Sequence, residues 1–382
     1  MQAQWGQLKT DVSRGILPSQ QIKKLLENNI IHAPALTQTS IQPSSLDLRL
    51  GKKGYRVPAA FLTMNGTSVQ ERLDEFEKLY YTLDLSKPTF LEARKAYVFE
   101  LQESIHFPFS MQAKSNPKSS TGRVDTFARL IADGTQNFDI IPAGYSGKLY
   151  LLVFPISFDL VIEEGIALNQ IRIQAHGSKM LNTQELFEMN QKYQILFDKD
   201  GKPIPLNDHF IHSNGLHLSI DLSDPIVGYK SKKNAPPINL AKMYHYEISD
   251  YWDPIKRPAN KRLILDPDFF YILKSKELIR IPTAYAAEII DFHSGIGEFR
   301  SHYAGFFDPG FGYGKKGELK GAVTVFEARC RDTPMEVEDG QVFCKFVFEK
   351  MSEIPEIAYG VEIKSNYQSQ NSVRLAKQFK YV

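Results

Sequence analysis

Apolar and polar residues alternate in short runs along most of this chain. Leu46, Leu48 and Leu50 fall on one face of an extended segment, with Asp47 and Arg49 on the other. Two further runs, Leu149 to Phe154 and Ala322 to Phe326, are continuously apolar and read as strands buried on both faces. Gly and Pro punctuate the intervals, as at Pro142-Ala-Gly144 and Pro309-Gly310. Helical periodicity is confined to short stretches. Ser19 is placed to cap a helix carrying Ile22, Leu25 and Leu26 on one face. Asn182 and Glu185 have capping-box spacing ahead of Leu186, Phe187 and Met189. Many short strands with few helices predict two all-β barrels or sandwiches rather than an α/β sheet.

The pattern is stated twice. Ile41, Leu46, Leu48 and Leu50 return as Ile211, Leu216, Leu218 and Ile220. Leu91, Tyr97, Glu103, Ile105 and Pro108 return as Leu265, Tyr271, Glu277, Ile279 and Pro282. The offset stays at about 170–175 positions across separate motifs, the signature of an internal duplication. The copies are read as residues 1–180 and 181–382, with the polar stretch Asp198 to Pro205 as the expected junction. A second polar segment, Gly228 to Asn260, is read as an insertion without a counterpart in the first copy.

Composition narrows the function classes. At 382 residues the chain holds two to three domains with cores of their own. A formal charge of +2, with Lys and Arg scattered, argues against a DNA-coating protein and leaves room for a local phosphate pocket. Cys330 and Cys344 supply neither a disulfide framework nor a four-ligand zinc site. No basic leader followed by an apolar stretch opens the chain, and no apolar run is long enough to span a bilayer. A soluble, cytoplasmic protein that binds neither nucleic acid polymers nor membranes is expected.

Three segments could carry chemistry. Pro117-Lys118-Ser119-Ser120-Thr121-Gly122-Arg123 gathers two cations and three hydroxyls, donors suited to a polyphosphate or a charged transition state. Taken alone, it reads more readily as a solvated turn. Glu327 ends an apolar strand, where a carboxylate is costly unless paired or protonated; a raised pKa there would suit a general base. Pairing of Glu327 with Arg329 or Arg331 at a wet strand end is an equal alternative. The tail from Tyr359 to Gln370 is aromatic and amide-rich, and disorder is the simpler expectation for it unless it folds over a ligand.

Together these segments resemble the dCTP deaminase branch of the dUTPase-like superfamily, once per copy over nearly the whole chain. The resemblance rests on Gly15-Ile-Leu-Pro-Ser-Gln-Gln-Ile, Ile41 to Gly51, Lys118 to Arg123, Tyr303-Ala304-Gly-Phe-Phe-Asp308-Pro-Gly-Phe311, Glu327 and Asp339 to Met351. Tyr359, Tyr367 and Gln370 match the family tail. It implies a mainly β fold, two tandem dUTPase-like distorted β-barrels with short flanking helices, and hydrolytic deamination of dCTP to dUTP and ammonia without zinc. Glu327, Arg123 and Ser119 are then the catalytic residues. Lys118, Ser120, Tyr359, Tyr367 and Gln370 contact the substrate, mainly its triphosphate, which arrives with Mg²⁺. Ala304, Asp308, Val325 and Phe326 lie at the base and sugar, Ala304 and Val325 to Glu327 acting through their backbone. A dUTP diphosphatase, a bifunctional enzyme and a nucleotide sensor are the alternatives.

The departures are complementary. Copy one has Leu152, Phe138 and Ile141 where the family has its Glu, Ala and Asp, and copy two lacks the Ser-Arg pair around Ser294. Asn366 stands where a Lys precedes the tail Tyr, with Lys364 two places earlier. The two copies add up to one site per chain. In the family each site lies between barrels of a homotrimer, so a homo-oligomer with trimer-like barrel packing is expected.

Overall fold

The computed structural model describes residues 13–34, 36–64, 66–290, 305–330, 332–360, 367–368 and 370–381, with the backbone of 299–300. The fold is mainly β, organised around two strand systems that follow one another along the chain. The first is a nearly closed, barrel-like sheet ordered Thr126–Ala132, Ser146–Pro155, Ala96–His106, Leu46–Val57, Ala167–Ala175, Met111–Pro117, Ile140–Ile141. The twelve-residue strand Leu46–Val57 makes the corner. Its start pairs with Ala167–Ala175 and its end with Ala96–His106, with a register shift between Leu50 and Gly54. Gly54 is needed at that bend, because a Cβ there would lie 2.3 Å from the Phe99 ring. The second system stacks two sheets. One contains Ile226–Ser231, Tyr271–Ile279 and Ala322–Cys330; the other contains Gly215–Ser219, Val342–Lys350, Tyr285–Ile290 and Phe306–Phe307.

The duplication extends to individual hydrogen bonds. The Glu103 carboxylate accepts from the Arg49 amide at 2.8 Å, and Glu277 accepts from the Ser219 amide at 2.9 Å. The Tyr97 hydroxyl accepts from the Glu92 amide at 3.1 Å, as Tyr271 does from Asp266 at 2.8 Å. Ile41 bridges Leu46, and Ile211 pairs with Leu216 in the same antiparallel sense. These polar groups are buried, so each repeated side chain satisfies a backbone donor that the strand bend exposes.

Several local expectations change. Pro18, not Ser19, is the residue that opens the helix Ser19–Glu27, and Ser19 is its buried first residue. Ile22 and Leu25 are buried as expected, with Leu26 packed on the core's edge. The strand Leu46–Leu50 is buried on both faces: Asp47 and Arg49 point into polar chambers rather than to water. The stretch Asp198–Pro205 is no junction. It is a tight loop within the second unit, where Ile204 donates to the Leu196 carbonyl, and Leu196–Phe197 already pairs with Tyr271–Ile279. Strand pairing of the first unit ends instead at Ala175.

Nor is Gly228–Asn260 an unmatched insertion. The corresponding connection of the first copy carries the helix Val69–Glu77, which packs Val69 and Leu73 over Leu152, Tyr150 and Val98. In the second copy the connection sends Ile238, Leu240, Tyr251 and Trp252 into the first unit's core, and its strand Ile238–Asn239 pairs with Leu160–Ile162. Residues 361–366 and 369 of the tail lie outside the described residues; beyond them, Leu375, Ala376 and Phe379 are buried in that same core.

Candidate active site

The strand Ala322–Cys330 explains the site by its alternation. Phe326 and Ala328 face the core of the second unit, while Val325 packs toward the first unit. Glu327 and Arg329 share the Val325 face by the two-residue period. Phe326 is therefore a core side chain, and only its backbone is placed to take the contact expected of it. Opposite this face lies the turn that the first unit contributes. After Met111–Pro117 the chain makes one helical turn, Ser119–Gly122, in which Thr121 and Gly122 donate to the Lys118 carbonyl and Arg123 to that of Ser119. Thr121 and Arg123 are buried, so the turn is a docked element and not a solvated one.

Docking is close. A Cβ on Gly122 would lie 2.2 Å from a carboxylate oxygen of Glu327 and 2.6 Å from its Cδ. Glu327 itself is 2% exposed, so the wet strand end does not describe it. Arg329, its suggested partner, goes elsewhere: the guanidinium pairs with buried Asp125 and donates to Ser157 Oγ at 2.9 Å. Arg331 lies outside the described residues. Arg123, next to Gly122, sets its guanidinium 3.8 Å over the Tyr367 ring and donates Nη1 to the Arg374 carbonyl at 2.7 Å. Its Nε is buried with no hydrogen-bond partner among the described residues. Burial pushes the Tyr367 hydroxyl up to about 12, with Arg123 opposing the shift, so Tyr367 stays neutral.

A cavity of about 1200 Å³ opens between the units. Lys118, Ser119, Ser120 and Arg123 line it from the first, and Asp308, Val325, Glu327, Tyr359, Tyr367 and Gln370 from the second. Both halves of the site thus meet within one chain. The hydroxyls of Ser119 and Ser120 make no hydrogen bond to any described residue and remain open to a ligand. Lys118 is ion-paired with Asp47. Gln370 Nε2 donates to the Val323 carbonyl at 2.8 Å, fastening the tail to the Glu327 strand. Tyr359 packs on Phe311, ring centroids 5.6 Å apart. Ala304, Ser294, Lys364 and Asn366 lie outside the described residues.

Asp308 shows how the units are joined. Its carboxylate accepts from Ser44 Oγ at 2.5 Å and lies 3.7 Å from the Arg172 guanidinium, both from the first unit. Burial raises the Asp308 pKa, with Arg172 and Ser44 pulling against it. Arg172 is fully buried, donating also to the Ala287 and Phe307 carbonyls at 2.9 and 3.2 Å.

Comparison with known proteins assigns this arrangement to a family. Residues 13–177 match the N-terminal domain, and residues 182–379 the C-terminal domain, of 2'-deoxycytidine 5'-triphosphate deaminase. The chain belongs to the dCTP deaminase family. It is 39% identical to the dCTP deaminase of Agrobacterium tumefaciens, whose crystal structure superposes with a TM-score of 0.82 over 90% of this chain and 100% of that one. A dCTP deaminase described as dUMP-forming, from Dictyoglomus thermophilum, is 30% identical over 36% of this chain and 67% of its own length. A dUMP-forming relative from Methanobrevibacter smithii is 26% identical over 30% of this chain and 56% of its own.

Beyond the matched motifs, the deaminase cavity has walls that motif reading missed. Asp47 in the lining neutralises Lys118, and Arg172, outside the lining, neutralises Asp308; their signal was a charge interrupting the apolar runs Leu46–Leu50 and Ile171–Ile173. Tyr244, Lys377 and Gln378 also line the cavity. They belong to segments whose pattern matches nothing in the other copy. Among the described residues no helix is long and apolar enough to cross a membrane.

Proposed function

We propose that this chain hydrolyses the C4 amino group of dCTP at one composite site, giving dUTP and ammonia. The observation that carries the reading is the contact of the Glu327 carboxylate with Gly122, which brings the acid of one copy onto the Ser-Arg turn of the other. Glu327 takes a proton from the water that attacks C4, so that a C4–O bond forms. It delivers that proton to N3, where it stays in the product. The proton of the new C4 hydroxyl is then carried to the amino group, which leaves as ammonia as the C4–N bond breaks and C4=O forms. Ser119 orients the water, and Arg123, whose Nε has no partner among the described residues, favours ionised Glu327 and holds the water. The backbone at Ala304 and from Val325 to Glu327 reads the pyrimidine edge, with Asp308 at the base and sugar. Lys118, Ser120, Tyr359, Tyr367 and Gln370 line the path of the triphosphate.

Zinc has no part in this scheme, and the two cysteines support that: both are buried in the second unit's core among Phe326, Phe343 and Phe346. Magnesium would offset the triphosphate's charge. The residues fit an ion that arrives on phosphate, since the cavity carboxylates Asp47 and Asp308 already face Lys118 and Arg172. Any homo-oligomer would be built from two-barrel units, each holding its own site.

A second reading, release of pyrophosphate to leave dUMP, is favoured by the relatives described as dUMP-forming. One assay separates them. With dCTP and Mg²⁺, ammonia alone marks a deaminase, ammonia with pyrophosphate a bifunctional enzyme, and neither a sensor. Glu327→Gln is expected to lower ammonia release at least about a hundredfold while dCTP still binds. Undiminished turnover in that variant would remove Glu327 from the mechanism.

A further inference from the structure

Among the described residues four cations line the cavity; Lys23 is exposed to solvent, and two others are already engaged. Lys118 is ion-paired with Asp47, and Arg123 lies over Tyr367 with a bond to the Arg374 carbonyl. Lys377 is different. It is half-buried in the cavity wall, and its ammonium has no ion pair or hydrogen bond with any described residue. Burial and the neighbouring Lys118 charge both lower its pKa, and Asp47 only partly opposes them.

Such a group is kept in place by its backbone. Tyr244 donates to the Lys377 carbonyl at 2.8 Å, and His245 and Tyr246 donate to that of Gln378 at 2.8 and 3.1 Å. Phe379, anchored 5.3 Å from Tyr251 and 6.0 Å from Trp252, pins the segment from below. Gln378 beside it is 2% exposed, with its Oε1 without a partner among the described residues and its Nε2 bonded to the Leu240 carbonyl. The connection Gly228–Asn260 thereby holds the last residues as a strap across the cavity. The electrostatic neighbours of Lys377 are Lys118 and Asp47, at the opposite end of the turn from Gly122 and Glu327. On the proposed role of Lys118 at the triphosphate, a cytosine seated at Glu327 would extend its phosphates toward that end.

We propose that Lys377, presented by this strap, is the cation that reads the distal phosphates of the nucleotide and makes the site selective for a triphosphate over a monophosphate. The proposal rests on the deaminase reading for the substrate's orientation. A half-buried ammonium with no ion pair among the described residues gains most from an anion that supplies both charge and acceptors.

The test compares wild type with Lys377→Ala, Lys377→Gln and Lys377→Arg, using dCTP and dCMP as substrates and inorganic tripolyphosphate as a binding probe. Lys377→Ala and Lys377→Gln are expected to raise KM for dCTP about tenfold or more, leave kcat within about threefold, and leave dCMP turnover unchanged. Lys377→Arg recovers most of the loss, and tripolyphosphate ceases to raise the melting temperature of the Ala and Gln variants. An unchanged KM for dCTP with unchanged tripolyphosphate binding overturns the proposal, as does an equal fall in turnover of dCTP and dCMP. If wild type releases no ammonia, the deaminase reading fails, and the tripolyphosphate measurement alone decides the role of Lys377.

Discussion

Replacing Gly122 by Ala tests the geometry of the composite site with a single methyl group. The added Cβ would sit 2.2 Å from one Glu327 oxygen and 2.6 Å from the other oxygen and from Cδ. Relief to ordinary van der Waals contact requires the carboxylate to move by about 1 Å. Displacing a reacting group by that distance costs on the order of a hundredfold in rate, or about 2.7 kcal/mol of transition-state stabilisation. The fold should tolerate the change, because Gly122 ends a helical turn, has no left-handed φ, and Ala favours helix by up to about 1 kcal/mol. The expected result is a kcat for ammonia release from dCTP reduced about a hundredfold, with a melting temperature equal to wild type or slightly higher. Glu327→Gln combined with Gly122→Ala should be no slower than Glu327→Gln alone, since both act on one group. A Gly122→Ala enzyme with wild-type kcat would refute the placement of Glu327 against the turn.

Two further outcomes concern the interface and pH. Asp125→Ala leaves the Arg329 guanidinium buried without its carboxylate, and is expected to destabilise by about 3 kcal/mol in urea unfolding, with loss of activity as the turn leaves the strand. An unchanged unfolding midpoint would show that the pair does not hold the turn. Burial raises Glu103 from 4.5 to about 7, so the folded state holds its proton more tightly than the unfolded one. Stability from this group is full below about pH 4.5 and is lost as pH rises through about 7. Glu103→Gln should therefore gain on wild type by up to about 3 kcal/mol between pH 5 and pH 8; a pH-independent difference would contradict it.

The sequence carried the β class and the repeated pattern, because these rest on periodicity, and it marked residues whose chemistry is costly where they stand. Glu327 at the end of an apolar strand was visible for that reason. Its environment was not. Whether it faced water or the Lys118–Arg123 turn depends on which face of Ala322–Cys330 meets the first unit, a long-range docking that local pattern does not encode. The same applies to Lys377–Phe379, whose place depends on Tyr244–Tyr246 and Trp252 receiving it. Gly228–Asn260 read as an unmatched insertion because its buried residues, Ile238, Leu240 and Trp252, complete the other unit's core rather than its own. Leu152 and the helix Val69–Glu77 show the reverse case: the resemblance placed Leu152 where the family has its acid, but not that a helix covers that position.

The central claim is that one chain supplies both halves of one site, and mixing inactive chains tests it most directly. Arg123→Ala lacks the first unit's half, and Glu327→Gln the second's. Unfolded together at equal concentration, refolded and assayed for ammonia release from dCTP, the two variants are expected to give no more activity than either alone. Recovery toward a quarter or half of wild-type turnover would mean that the halves meet between chains, and would contradict the account.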